Sequence, residues 1–188
     1  MEGAQGPEHV EGGNKKIALL VAVLAAFLAI SEMGGKSSQT HALAEHIDAS
    51  NLWSFFQAKT IRQTTMRTAA DAIEAQYKDN PQPMSAGVKK QVDTWRQTAQ
   101  RYETEPETGE GRKELAARAK AKEAARDKAL AAYHMFEYGS AALQLAIVLA
   151  GAAALTSVMW LTFLSLGLGV VGLLFGVLGF AAPTLIHI

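Results

Sequence analysis

The chain has 188 residues, with 18 basic and 18 acidic side chains and no cysteine. So even a balance leaves no clustered basic footprint for nucleic acid, and the missing cysteine excludes disulfides, thiolate catalysis and cysteine-ligated metals. The 51 residues from Tyr138 to Ile188 contain no Asp, Glu, Lys or Arg, which predicts an integral membrane protein, because two crossings of about 20 residues each fit within them.

In chain order, residues 1–14 are rich in Gly and Glu and poor in apolar side chains, the composition of a disordered tail. Lys15 and Lys16 open an apolar run to Ile30. With the flanking lysine snorkelling and the run carried on to Gly35, residues 15–35 form a first span. Basic residues before a short apolar core also describe a signal peptide. The Ala-rich core offers no convincing small-x-small cleavage site before the charged stretch begins, and Lys36 follows closely, which favours a retained helix.

Residues 36–137 hold 14 acidic and 16 basic side chains and read as a helical extramembrane domain, a long hairpin or a three-helix bundle. Its first helix is expected over Ser37–Lys78, ended by Asn80-Pro81 and Pro83. Along it, Ala44, Ile47, Asn51, Ser54, Ala58, Ile61, Thr65, Thr68, Ala72 and Ala75 alternate by three and four. That spacing predicts a coiled-coil seam of small residues packed against a second helix, with Leu52, Phe55, Phe56, Met66, Ile73 and Tyr77 beside it. Ser85 is placed to cap a second helix carrying Val88, Val92, Trp95, Ala99 and Tyr102 at the same spacing. A loop follows over Glu105–Gly111, then a third helix from Arg112 that runs on into the membrane. Further spans are expected at 138–158 and 161–183, with a turn over Ser157–Thr162, Trp160 at interfacial depth and Pro183 at the end. The fold class is all-α, with three transmembrane helices.

Gly167-Leu-Gly169-Val-Val-Gly172 has the glycine spacing of a dinucleotide loop, but neither the strand before it nor the acidic residue after it is present. Gly167, Gly169, Gly172, Gly176 and Gly179 instead line one membrane helix with small residues for close helix packing. Glu32, at the end of the first span, and Gln144, inside the second, are the polar residues at membrane depth. Such groups are interfacial, paired or functional. His41 and Glu45 stand four apart on one helix face, but His46 points elsewhere and the spacing is not that of a zinc helix. Glu105, Glu107 and Glu110 lack the alternation of a calcium loop. No arrangement of catalytic, metal or cofactor ligands stands out, and the chain is not expected to be an enzyme.

Four stretches, Ser31–Lys36, Asn51–Thr64, Glu105–Leu115 and Phe136–Ala142, resemble a bacterial inner-membrane family known only as a domain of unknown function, of the DUF4337 type. The resemblance implies one N-terminal and two C-terminal spans and no assigned activity. It singles out Trp53, Phe56, Gln57, Lys59, Arg62 and Gln63 as a patch that either binds a partner or sets helix register.

The expectation is therefore a non-enzymatic scaffold or accessory subunit in the bacterial inner membrane, homo-oligomeric or part of a larger membrane complex. Its partners are the lipid bilayer and protein, not nucleic acid. The alternative is a small oligomeric channel or ion-coupled transporter using Glu32 and Gln144. Lys36, Arg118, Lys120, Lys122, Arg126 and Lys128 outnumber Lys15 and Lys16, which puts the middle domain in the cytoplasm.

Overall fold

The computed structural model describes residues 8–78 and 80–185, with side chains from Lys15 onward. Four helices follow one another: α1 Glu8–Lys78, α2 Ala86–Glu103, α3 Arg112–Thr156 and α4 Met159–Ala181. Among the described residues there is no strand. The stretch expected as a disordered tail lies partly outside the described residues, and from Glu8 onward it is helical.

Contacts divide the chain into two compact units, one from Met1–Leu43 and Arg126–Ile188, the other from Ala44–Ala125. α1 and α3 each contribute to both. The division falls at 43/44 and 125/126.

In the Ala44–Ala125 unit, α1 runs out and α2 and α3 run back along it one after the other. Gln63 on α1 meets Ala99 on α2, and Trp53 meets Glu123 on α3. The arrangement is a hairpin whose return arm is interrupted by a loop. The expected seam is corrected here. Ile47, Asn51, Ser54, Ile61, Thr65, Thr68, Ala72 and Ala75 all face outward, as does Ala44. The covered positions are Glu45, Ala49, Leu52, Phe56, Lys59, Gln63, Met66, Ala70, Ile73 and Tyr77, again alternating by four and three. The two stripes are offset by two residues, roughly 200° around the helix. Both satisfy the same period, and the covered one was obscured by the charge of Lys59.

α2 buries Val92 and Ala99 and half-buries Val88, Trp95 and Tyr102, as the spacing predicts. Its first turn is capped by Ser85, whose hydroxyl accepts from Val88 N at 3.3 Å. The loop before α3 turns at Gly109, whose φ of +67° lies in the left-handed region that favours glycine.

In the other unit, the membrane-length parts of α1, α3 and α4 pack together. Leu24, Leu143 and Ala146 form the centre, with Leu20, Leu28, Ile147 and Leu168 around them. Phe136, 2% exposed, lies across Gly34 and Gly179 so closely that a methyl group at either would collide with its ring. Gly34 and Gly35 thus admit an aromatic ring, and the helix continues through them. The turn between α3 and α4 is tighter than expected. Only Ser157 and Val158 are non-helical, with Ser157 at φ 57°, and Trp160 already belongs to α4. α1, α3 and α4 are each long and apolar enough to cross a membrane.

Candidate functional site

The hairpin unit gathers its polar chemistry where the return arm is interrupted. α1 supplies Lys59, Thr60 and Gln63, one turn apart, and α2 and α3 supply Glu103 and Arg112 from the two sides of the loop. Lys59 is 5% exposed. Its ammonium donates to Glu105 at 3.3 Å, lies 3.7 Å from Glu110, and sits between the Phe55 and Tyr102 rings at 5.3 and 5.4 Å. Those rings add cation–π attraction to the ion pairs.

Gln63, 2% exposed, has both ends of its amide used. Its Nε2 donates to the Ala99 carbonyl and to Glu103, each at 2.9 Å, and its Oε1 accepts from Arg112 at 2.6 Å. Arg112 also donates to Thr60 at 2.9 Å and Glu103 at 2.8 Å, and lies 5.0 Å from the Phe56 ring. The Gln63 amide, helped by the positive field of Arg112, holds the Glu103 carboxyl below the usual carboxylate range against the cost of burial.

Gly111 opens α3, its carbonyl accepting from Leu115 N. The Glu114 carboxylate folds back across it to Thr104 Oγ1 at 2.6 Å and Glu105 N at 3.2 Å. A side chain on residue 111 would occupy the space of that carboxylate and of the Thr104–Glu105 backbone. The Thr104 hydroxyl is the main cause of the lowered Glu114 pKa.

Farther along, Trp53 Nε1 donates to Glu123 at 2.8 Å. Lys122 bridges Glu45 and Asp48 at 3.1 and 3.0 Å, and its pKa is raised by Asp48 and then Glu45. Arg96 is raised in the same way by Glu74 and Asp71. Each of these charges is matched within the unit. The arrangement holds a loop and fixes the sliding of one helix on another, since a shift of one residue would leave buried charges unpaired.

The other unit holds a second polar feature. Gln144 Nε2 on α3 donates to Glu32 on α1 at 3.3 Å, and both side chains are exposed. Ser31, next to Glu32, is buried and donates to the Phe136 carbonyl at 3.2 Å. Ser165 on α4 donates to the Ala146 carbonyl at 2.7 Å.

A family model matches residues 13–182, almost the whole chain, and its description is a domain of unknown function, DUF4337. The chain belongs to this family. No curated protein and no solved structure matches it.

Two of the DUF4337 stretches distant in sequence, Asn51–Thr64 and Glu105–Leu115, meet at the polar cluster of the hairpin. Of the patch within the first, Lys59 and Gln63 are buried, Trp53 and Phe56 are half-buried, and Gln57 and Arg62 face outward. Of the membrane-helix glycines, Gly169 packs on Leu24, Gly172 on Leu143 and Gly139, and Gly179 on Phe136. Gly167 is exposed, and neither it nor Gly176 has a neighbour within reach of a methyl group. Glu45 is taken by Lys122 rather than by His41, and Glu107 is exposed while Glu105 and Glu110 turn to Lys59.

Glu103 and Arg112 were missed as site residues by sequence reasoning, which read Tyr102 only as part of the apolar row of α2. One signal could have found them. A lysine and a glutamine four apart within a mostly apolar stripe require buried partners, and the charged residues flanking a helix break are the available ones.

Proposed function

We propose that this DUF4337 protein is a multi-pass membrane scaffold or accessory subunit that self-associates and offers its helical hairpin to partners. The outward stripe of α1 carries the argument. Ile47 and Ile61 are 51% and 68% exposed there, among the exposed small residues Ala44 and Ser54. The alternation by three and four is the spacing at which another helix would pack as a coiled coil. The polar cluster on the opposite side of α1 is satisfied within the unit, which suits a structural fastening rather than catalysis.

The three membrane-length helices support a multi-pass placement, in our reading in a bacterial inner membrane. The lysine and arginine bias supports a hairpin in the cytoplasm. Light scattering of the purified protein in mild detergent, together with crosslinking in native membranes, tests the proposal. An oligomer, or a stable co-purifying subunit, is the expected result. A strict monomer that recovers no partner overturns it.

A second reading, a small oligomeric channel or ion-coupled transporter, is favoured by one observation, the exposed Glu32–Gln144 pair. A charged side chain at the centre of a spanning helix costs about 2.5–3.5 kcal/mol on insertion scales, so such residues commonly face water or protein. Liposomes that carry the protein and show no ion flux remove this reading.

A further inference from the structure

In the unit built from the membrane-length helices, α1 and α4 both turn apolar side chains outward. α4 turns Phe163, Leu166, Val170, Leu174 and Val177 outward, the bulky side chains that suit lipid. α1 likewise exposes Leu19, Val23, Phe27 and Ile30. Beside them runs a row of small residues, Ala18, Ala22, Ala25 and Ala29, at steps of four, three and four, and Glu32 continues the row three residues on. Gln144, bonded to Glu32, stands on α3 beside this row, with Ala141 exposed one turn before it.

The register of the helices gives the depth of the pair. A methyl group on Gly139 would touch Ser31 of α1 and the backbone of Gly172 and Gly176, so these residues share a level. Ser165 meets Ala146 about two turns away. Gln144 therefore lies abreast of the middle of the 23-residue, uncharged α4. Glu32 lies about 10 Å inside its C-terminal end at 1.5 Å per residue. With α4 as a span, both groups are at hydrocarbon depth, where lipid supplies no donor or acceptor. Their mutual bond uses one N–H of the Gln144 amide and one oxygen of Glu32. The second N–H, the amide oxygen and the second carboxylate oxygen have no hydrogen-bond partner among the described residues.

We infer that this face is a two-fold contact between two copies of the chain within the membrane, with Glu32 and Gln144 of each meeting Gln144 and Glu32 of the other beside the alanine row. The patch carries donor and acceptor together, so it is complementary to itself under a two-fold axis, as an isologous interface requires. Alanines let the backbones approach closely enough for those short side chains to reach. The inference rests on the multi-pass reading above and names the surface through which the protein self-associates.

The chain has no cysteine, so single cysteines in the full-length protein can be oxidised in native membranes without background. Ala29→Cys and Ala141→Cys are expected to give a disulfide-linked homodimer, and Val170→Cys and Leu174→Cys are not. Adding Glu32→Leu and Gln144→Leu to Ala29→Cys lowers the dimer fraction about ten-fold, the order expected for lost interhelical hydrogen bonds. Glu32→Gln, which still donates and accepts, keeps it. Dimers formed mainly at Leu174→Cys overturn the inference, as does an adduct of Ala29→Cys with a protein of another mass. Dimers formed at Ile47→Cys alone overturn this contact while leaving the scaffold proposal standing. No crosslink at any site, with a monomer in detergent, overturns both. Proton flux through liposomes that Glu32→Gln abolishes also overturns it, by assigning the pair to a pore.

Discussion

Lys59 illustrates how a buried charge is kept in a helical hairpin. Its long stem follows the apolar stripe while its ammonium reaches the loop carboxylates and two ring faces. Replacing a buried ion pair by apolar bulk is often nearly neutral, whereas removing one partner from a hydrogen-bonded network is not. Lys59→Met with Glu105→Leu should therefore cost less than Lys59→Met alone, which leaves that carboxylate without its ammonium. Arg112→Ala should cost about 2 kcal/mol, because Glu103, Gln63 and Thr60 all lose a donor. Thermal unfolding of the detergent-solubilised protein, followed by its helical signal, checks the order. Equal losses would show that the cluster does not act as a network.

Glu103 also links stability to pH. Its carboxyl is lowered first by the Gln63 amide and then by Arg112. A lowered acid contributes stability that is present above its unfolded pKa of about 4.3 and lost as the pH falls through the folded value. Melting temperature should therefore fall below about pH 4.3. Glu103→Gln should flatten that part of the fall, and the same melts repeated across acid buffers measure it. Glu114, lowered mainly by the Thr104 hydroxyl, adds to the residual slope.

Among the elements, α4 shows that a glycine-rich helix is not uniform. Gly172 faces Leu143 and the Gly139 carbonyl at distances that leave no room for a methyl, while Gly167 faces open space. Overpacking a tight contact costs about 1–3 kcal/mol. Gly172→Ala should accordingly lower the temperature at which the detergent-solubilised protein aggregates, and Gly167→Ala should leave it unchanged or raise it, since alanine is the better helix former. α1 carries a different lesson. Its two stripes have the same alternating step, and neither proline nor glycine separates them. Small residues at Ala44, Ser54 and Ala58 favoured the outward stripe on volume alone. The covered stripe contains Ala42, Ala49 and Ala70 as well, but interrupts them with Glu45, Lys59 and Gln63.

For the whole molecule, three membrane-length helices set the expected behaviour in extracts. The protein should remain in the pellet after a carbonate wash and leave it only with detergent, which fractionation and immunoblotting check. Recovery in the detergent-free supernatant would contradict the membrane placement. A cysteine at Thr108, in the loop between α2 and α3, should resist a membrane-impermeant thiol reagent in intact cells and react after lysis. Labelling of intact cells would place the hairpin on the outer side.

The uncharged C-terminal run and the helix breaks at Pro81, Pro83 and Gly109 could be read from the chain itself. Transfer into lipid and helix interruption depend on side chains counted along a local segment, so no distant partner is needed to judge them. α2 was legible for the same reason, its apolar residues forming a single row. The cluster was not legible. Its contacts join Gln63 to Ala99, Lys59 to Glu105 and Gln63 to Arg112 across 36, 46 and 49 positions. Only the folded hairpin decides which stripe of α1 is covered, because a lysine and a glutamine can be buried only where other helices bring carboxylates and carbonyls to meet them.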